Sequence, residues 1–342
     1  MARRRTVFCV LSARSLPYAE SALDSLTQRC VEDIDLTLIT DGADDKRALI
    51  DALERIDVPS RHAWRVHSQA DADERALALL VKYPHVAAFR AGHPCWRKLT
   101  DPPLFAPAGA EMVILDPDLY FPNRFCFEAT PEKGLLLMHQ PPSCLLPDHV
   151  VAAAYDAGVA LAHHVDIGVA QVRNTIDLDW LNWLIGQLGG AGMPRVMHVE
   201  AIVWAALAMR MGGGYLDPMH WHCWRYSQWN RLRLLGGVSG RTVLRSERFG
   251  AMKCFHGGGI AKWWLPEAVA AGDMPAPVLL TTCRTPEPFV ELTRQEYEAT
   301  QRLKSWARRV GYYRLVGSLS RSQVRLRPRP LAGRPSSGRQ DV

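Results

Sequence analysis

Residues 110–121, AEMVILDPDLYF, place four consecutive apolar residues, Met112 to Leu115, directly before Asp116-Pro117-Asp118. A short unbroken apolar run closed by a turn signal reads as a strand buried on both faces, the kind found in parallel sheets. Side chains two apart on extended backbone point to the same side, and Pro117 keeps Asp116 extended. Both carboxylates therefore reach one cation at the strand's end. Hard divalent ions such as Mg²⁺ or Mn²⁺ take such oxygen ligands, above all when a diphosphate supplies more oxygens. Asp-x-Asp by itself is common, and a solvated turn is the plain alternative.

Upstream, TVFCVLSA (6–13) is β-branched and apolar, and LPYAESALDSLTQRC (16–30) has helical apolar spacing at Ala22, Leu23 and Leu26. IDLTLIT (34–40) alternates like a strand, and DKRALIDALERI (45–56) reads as a second helix. Strands alternating with helices predict an α/β domain on a parallel sheet, whose ligands gather at the carboxyl ends of the strands. No Gly-x-Gly-x-x-Gly follows the first strand, which argues against the usual dinucleotide fold.

Downstream, HHVDIGVAQVRN (163–174) reads as a loop and strand, and VEAIVWAALAMRMGGG (199–214) as a helix stopped by glycines. YLDPMHWHCWRYSQWN (215–230) crowds Trp221, Trp224, Tyr226 and Trp229 into one loop. Such rings suit stacking on sugars, but local packing is the favoured reading. His220 and His222 lack a third spaced metal partner, and His163 and His164 beside Asp166 are read with the same restraint. AMKCFHGGGIAKWWLP (251–266) is denser in special residues. Gly257 to Gly259 remove every Cβ, so backbone can approach a ligand such as a phosphate, and His256 and Lys262 bracket that opening.

Bulk properties narrow the classes. The 342 residues are 48% hydrophobic, which suits a globular chain of one large or two ordinary domains. The apolar run Val7 to Leu11 is too short for an export signal, and no run approaches membrane-spanning length. The eight cysteines show no Cys-x-x-Cys pair and read as free thiols in a reducing cytoplasm. Net charge is +6, but eleven Arg or Lys and one acid fall after residue 300, leaving residues 1–300 at −4. A nucleic-acid partner for the body is therefore not expected. The tail interleaves arginines with Trp306, Tyr312 and Tyr313, which suits an anionic lipid surface, a solvated helix face being the alternative.

Together these pieces resemble the metal-dependent GT-A glycosyltransferases, particularly glycosyltransferase family 8. The likeness covers most of residues 6–265. The resemblance implies an α/β GT-A fold, Rossmann-like, with a central mostly parallel sheet: a nucleotide-diphospho-sugar transferase. It implies a catalytic domain over 1–300, and the charge run marks 301–342 as a basic tail, expected as a membrane-surface helix followed by a disordered end. VLSARSLPYAESALDSL places Tyr18 where the family stacks a tyrosine on uracil, and WRKLTDPP places Lys98 and Leu99 before the metal-binding Asp116 and Asp118. HGGGIAKWW matches the family's closing His-x-x-Gly-x-x-Lys-Pro-Trp with His256, Gly259, Lys262 and Trp264, Trp263 replacing proline. By that resemblance His256 is the third metal ligand, and Gly259 and Lys262 hold the diphosphate.

Two departures fall at positions that contact the donor sugar in the family. Asp166-Ile167-Gly168-Val169 stands for Asn-x-Gly-Val, and Glu200-Ala201 for Asp-Gln. Asp166 and Glu200 are thus the candidates for positioning the sugar. The resemblance implies transfer of a hexose from a UDP-sugar to a glycan or glycolipid acceptor, with retention and with Mn²⁺ or Mg²⁺. The expected setting is the cytoplasm, with the tail on the inner membrane face. Two alternatives stand beside it: a non-catalytic glycan- or membrane-binding protein, and a haloacid-dehalogenase-like phosphatase. The latter wants Thr or Val where Tyr120 stands and leaves His256 to Trp264 without a role.

Overall fold

The computed structural model describes residues 4–311, divided into two compact units, Met1–Leu292 and Thr293–Val342. The strands in chain order are β1 (Arg5–Val10), β2 (Ile34–Ile39), β3 (Ala63–His67), β4 (Glu111–Leu115), β5 (Leu119–Tyr120), β6 (Arg124–Phe125) and β7 (Leu135–His139). They continue as β8 (Val165–Arg173), β9 (Gly213–Tyr215), β10 (Trp221–Cys223), β11 (Cys254–His256), β12 (Leu279–Leu280) and β13 (Glu287–Pro288). An eight-stranded sheet has the order β13-β9-β7-β8-β4-β1-β2-β3. Six of its strands run one way and β8 and β13 run against them, so the sheet is mostly parallel. A three-stranded sheet, β10-β11-β5, stands apart from it.

The apolar runs go where both faces are covered. Met112 to Leu115 of β4 are all buried, flanked by β1 and β8. The helix Leu16–Arg29 buries Ala19, Ala22, Leu23 and Leu26 at helical spacing, and Ala19, Leu23 and Leu26 join the main core with β1 and β2. The helix Val199–Met211 is buried over most of its length and stops at Gly212, where φ is 76°. At Gly213 a Cβ would lie 1.9 Å from the Leu135 carbonyl oxygen, so the glycine run also lets β9 pair with β7.

The reversed strand positions the site. Because β8 runs against β4, its first residues lie beside the end of β4, and the Asp116 N–H donates to the Gly168 carbonyl at 2.8 Å. The aromatic loop 215–230 is not irregular throughout: it contains β10 and the start of the helix Gln228–Leu235. In the second unit, the helix Arg294–Arg309 starts at a reciprocal capping box between Thr293 and Glu296. The lipid expectation for the tail falls largely on 312–342, outside the described residues. No helix among the described residues is long and apolar enough to cross a membrane.

Candidate functional site

Four chain segments converge at the carboxyl end of β4. Asp116 follows β4 directly, and Asp118 precedes β5. The pairing of β5 with β11 sets His256 opposite Leu119, and the Gly257 N–H donates to the Asp118 carbonyl at 2.9 Å. That register brings the Asp118 carboxylate to 3.2 Å from His256 Nε2, with Asp116 at 3.7 Å. Donor atoms of Asp116, Asp118 and His256 all lie within 4.8 Å of one another.

Asp166, near the start of β8, accepts from the Gly168 N–H at 2.9 Å and meets His256 Nδ1 at 2.8 Å. A carboxylate on Nδ1 fixes a proton there, so Nε2, which faces Asp116 and Asp118, is the nitrogen that would give up its proton to a metal ion, the arrangement usual for a metal-binding histidine. Gly168 makes this contact possible, since a Cβ would stand 2.6 Å from His256 Nδ1. A second donor group, Asp166, Cys223 and His256, shares the histidine. Burial and the Asp166 charge push the Cys223 thiol up to about 12. For a hard divalent ion the group with two carboxylates is the better candidate, because a thiol suits softer metals.

Two lysines face the carboxylates. Lys98, buried in the short helix Arg97–Thr100, forms an ion pair with Asp116 and lies 3.7 Å from Glu200. Lys262, one residue into the helix Ala261–Ala270, reaches Asp118 at 3.3 Å and stands 4.8 Å over the Tyr18 ring. Trp263 meets Tyr18 edge-on at 5.1 Å. Gly259, between β11 and this helix, is exposed and adopts φ of 70°, which only glycine takes without strain.

The charges are strongly coupled. Burial pulls His256 downward, but Asp166 and Asp118 outweigh it and hold the imidazole well above its usual range. Burial would raise Asp118, yet His256, Lys262 and Lys98 together keep it far below the ordinary carboxylate value. Asp116 is pushed up by burial, with the Asp118 charge adding to the rise and Lys98 opposing it. Glu200, only 1% exposed, accepts from Trp204 Nε1 at 3.2 Å. Burial lifts its carboxyl to about 8, because Lys98 offsets only part of that cost.

All nine candidate site residues lie in the first unit: Tyr18, Lys98, Asp116, Asp118, Asp166, Glu200, His256, Gly259 and Lys262. Contacts chain eight of them together, and Gly259 sits in the loop joining His256 to Lys262. His220 and His222 point elsewhere, to Asp217 at 3.9 Å and Glu247 at 3.7 Å. Of the aromatic loop, Trp221 and Trp224 are buried and Trp229 is 68% exposed. Sequence reasoning missed Trp204 and Cys223. Trp204 carried a readable signal, four residues after Glu200 on one helix; Cys223 meets His256 only through the β10–β11 register.

Fold and cluster together define an α/β protein with an acidic, cation-lined site at the carboxyl ends of parallel strands. No known family model matches the chain, and neither does any curated protein sequence. Solved structures similar to it include mouse xyloside xylosyltransferase 1 in its apo form, 14% identical over 75% of this chain and 98% of that chain, with a TM-score of 0.47. The galactosyltransferase LgtC, in complex with donor and acceptor sugar analogues, is 9% identical over 78% of this chain and 92% of that chain, at 0.47. The mannosyltransferase Ktr4p from S. cerevisiae is 11% identical over 60% and 66%, at 0.40.

Proposed function

We propose that the protein is a metal-dependent glycosyltransferase that moves a hexose from a UDP-sugar to a hydroxyl of a glycan or glycolipid acceptor, with retention. The observation that carries this reading is the convergence of Asp116, Asp118 and His256 within 4.8 Å, flanked by Lys98 and Lys262. Two carboxylates and one imidazole suit Mn²⁺ better than Mg²⁺, which prefers oxygen alone. Such an ion, held by those three residues, supplies positive charge against the departing diphosphate.

The remaining work falls to the chain itself. Asp166 aims His256 Nε2 at the carboxylates. Lys262 adds a cation beside Asp118, where developing charge on the leaving group is stabilised. Tyr18 would stack on uracil, and the exposed, Cβ-free backbone at Gly259 would let a diphosphate approach. Glu200 lies against Lys98, and with Asp166 it is assigned to positioning the donor sugar. Retention rests on the resemblance at His256 to Trp264.

Isothermal titration with UDP tests the reading. Binding is expected with Mn²⁺ and not with chelator, and it is lost in His256→Ala, whose fold is checked by circular dichroism because the variant leaves Asp118 and Asp166 buried without their imidazole partner. UDP binding of equal strength in chelator, or none in either buffer, sinks it.

A further inference from the structure

Between β10 and β11 the chain leaves the small sheet for a helical hairpin, residues 224–252, built on the helices Gln228–Leu235 and Gly240–Leu244. Its base is fixed to the site. The Trp224 N–H donates to the His256 carbonyl at 3.0 Å, and the Trp224 ring packs edge-on against Trp264 at 5.6 Å, two residues past Lys262. Its inner side is anchored by buried Val243, Leu244 and Phe249, with half-buried Leu234 and Val238 against them.

The outer side is different. The helix Gln228–Leu235 buries no residue. Trp229, Leu232 and Leu235 are 68%, 59% and 39% exposed, and their three-residue spacing sets them along one face. Six arginines lie in the hairpin against one acid, Glu247, on a body whose net charge is −4. Arg241 and Arg245 pair with Asp273, but Arg225, Arg231, Arg233 and Arg248 form no ion pair among the described residues. Uncovered apolar side chains are unfavourable in water, and beside guanidinium groups that lack an acidic partner they match an anionic lipid surface, where tryptophan and leucine enter the interface and arginines meet headgroups.

We propose that this hairpin docks the protein on an anionic membrane surface, with Trp229 and Leu232 entering the interface. The Trp224 contacts with His256 and Trp264 then place the candidate site toward the lipid headgroups, within reach of a lipid-borne acceptor. Docking is independent of the transferase reading, because it is measured without donor or metal.

The test is co-sedimentation of the full chain with vesicles of phosphatidylglycerol and phosphatidylcholine in equal parts, and with phosphatidylcholine alone. Binding is expected to the anionic vesicles only. Trp229→Ser/Leu232→Ser should weaken it by about tenfold or more, and Arg225→Gln/Arg248→Gln by roughly fivefold per charge, with salt reducing it further. Both double variants change exposed or half-buried side chains, and circular dichroism melts identical to the parent's confirm that each is folded. Undiminished binding by Trp229→Ser/Leu232→Ser overturns the proposal. Absence of vesicle binding overturns it too, as does a parent that is dimeric by light scattering while the variant is monomeric, which makes the face a contact between copies.

Discussion

Asp166 shows how one side chain acts through another. It touches His256 Nδ1 at 2.8 Å, and the histidine's opposite nitrogen faces the two other carboxylates. Removing its charge leaves the imidazole free to turn or to take the other tautomer. In Asp166→Asn, Mn²⁺-dependent UDP affinity should fall about 10- to 100-fold with little loss of stability; unchanged affinity by titration rules out this positioning role. Glu200 gives a pH signature. Its folded value, about 8, lies above the unfolded carboxylate value, so folding favours the protonated form. The wild type is therefore unpenalised below about pH 4.5 and loses stability as pH rises from there to about 8. Glu200→Gln should flatten that decline, so its melting temperature relative to wild type rises between pH 6 and pH 9. Parallel melting curves at both pH values contradict the assignment.

At the scale of elements, three pairings build the cluster: β8 against β4, β5 against β11, and β11 beside β10. Gly168 sits where the first of these meets the second. The contact it leaves open is incompatible with a side chain, since a Cβ would overlap His256 Nδ1 and approach Asp166 Oδ1 at 3.0 Å. Gly168→Ala is expected to displace the imidazole, costing about 1–3 kcal/mol of stability and abolishing Mn²⁺-dependent UDP binding. A variant that binds UDP normally shows that the His256–Asp166 contact is dispensable. The elements themselves were largely legible. The strands at 5–10, 34–39 and 111–115 and the helices at 16–29 and 199–211 follow from apolar spacing and glycine stops. The strand β10 was not legible inside the aromatic loop, because three residues make no countable period and its partner in β11 lies 33 residues further along, Cys254 opposite Trp221.

At the scale of the whole molecule, a buried ion pair ties distant parts of the first unit together. Lys253, fully buried just before β11, donates to Glu128 at 2.7 Å, and Trp221 of β10 donates to the same oxygen at 3.0 Å. Lys253→Met strands the Glu128 carboxylate in the core and should cost about 3–5 kcal/mol, read as a lower denaturant midpoint. Lys253→Met combined with Glu128→Leu should recover much of that loss. A single variant as stable as the parent means the pair adds nothing.

The amino-acid sequence by itself determined the α/β alternation, the buried strand ending in Asp116 and Asp118, and the glycine-rich stretch from His256 to Lys262, because these are local patterns of spacing, charge and Cβ content. The meeting of Asp118 with His256, the reversal of β8, the burial of Glu200 against Lys98 and the uncovered face of the 224–252 hairpin were decided only by tertiary structure. They depend on strand register and on which faces the rest of the chain covers, and residues scores of positions apart set both.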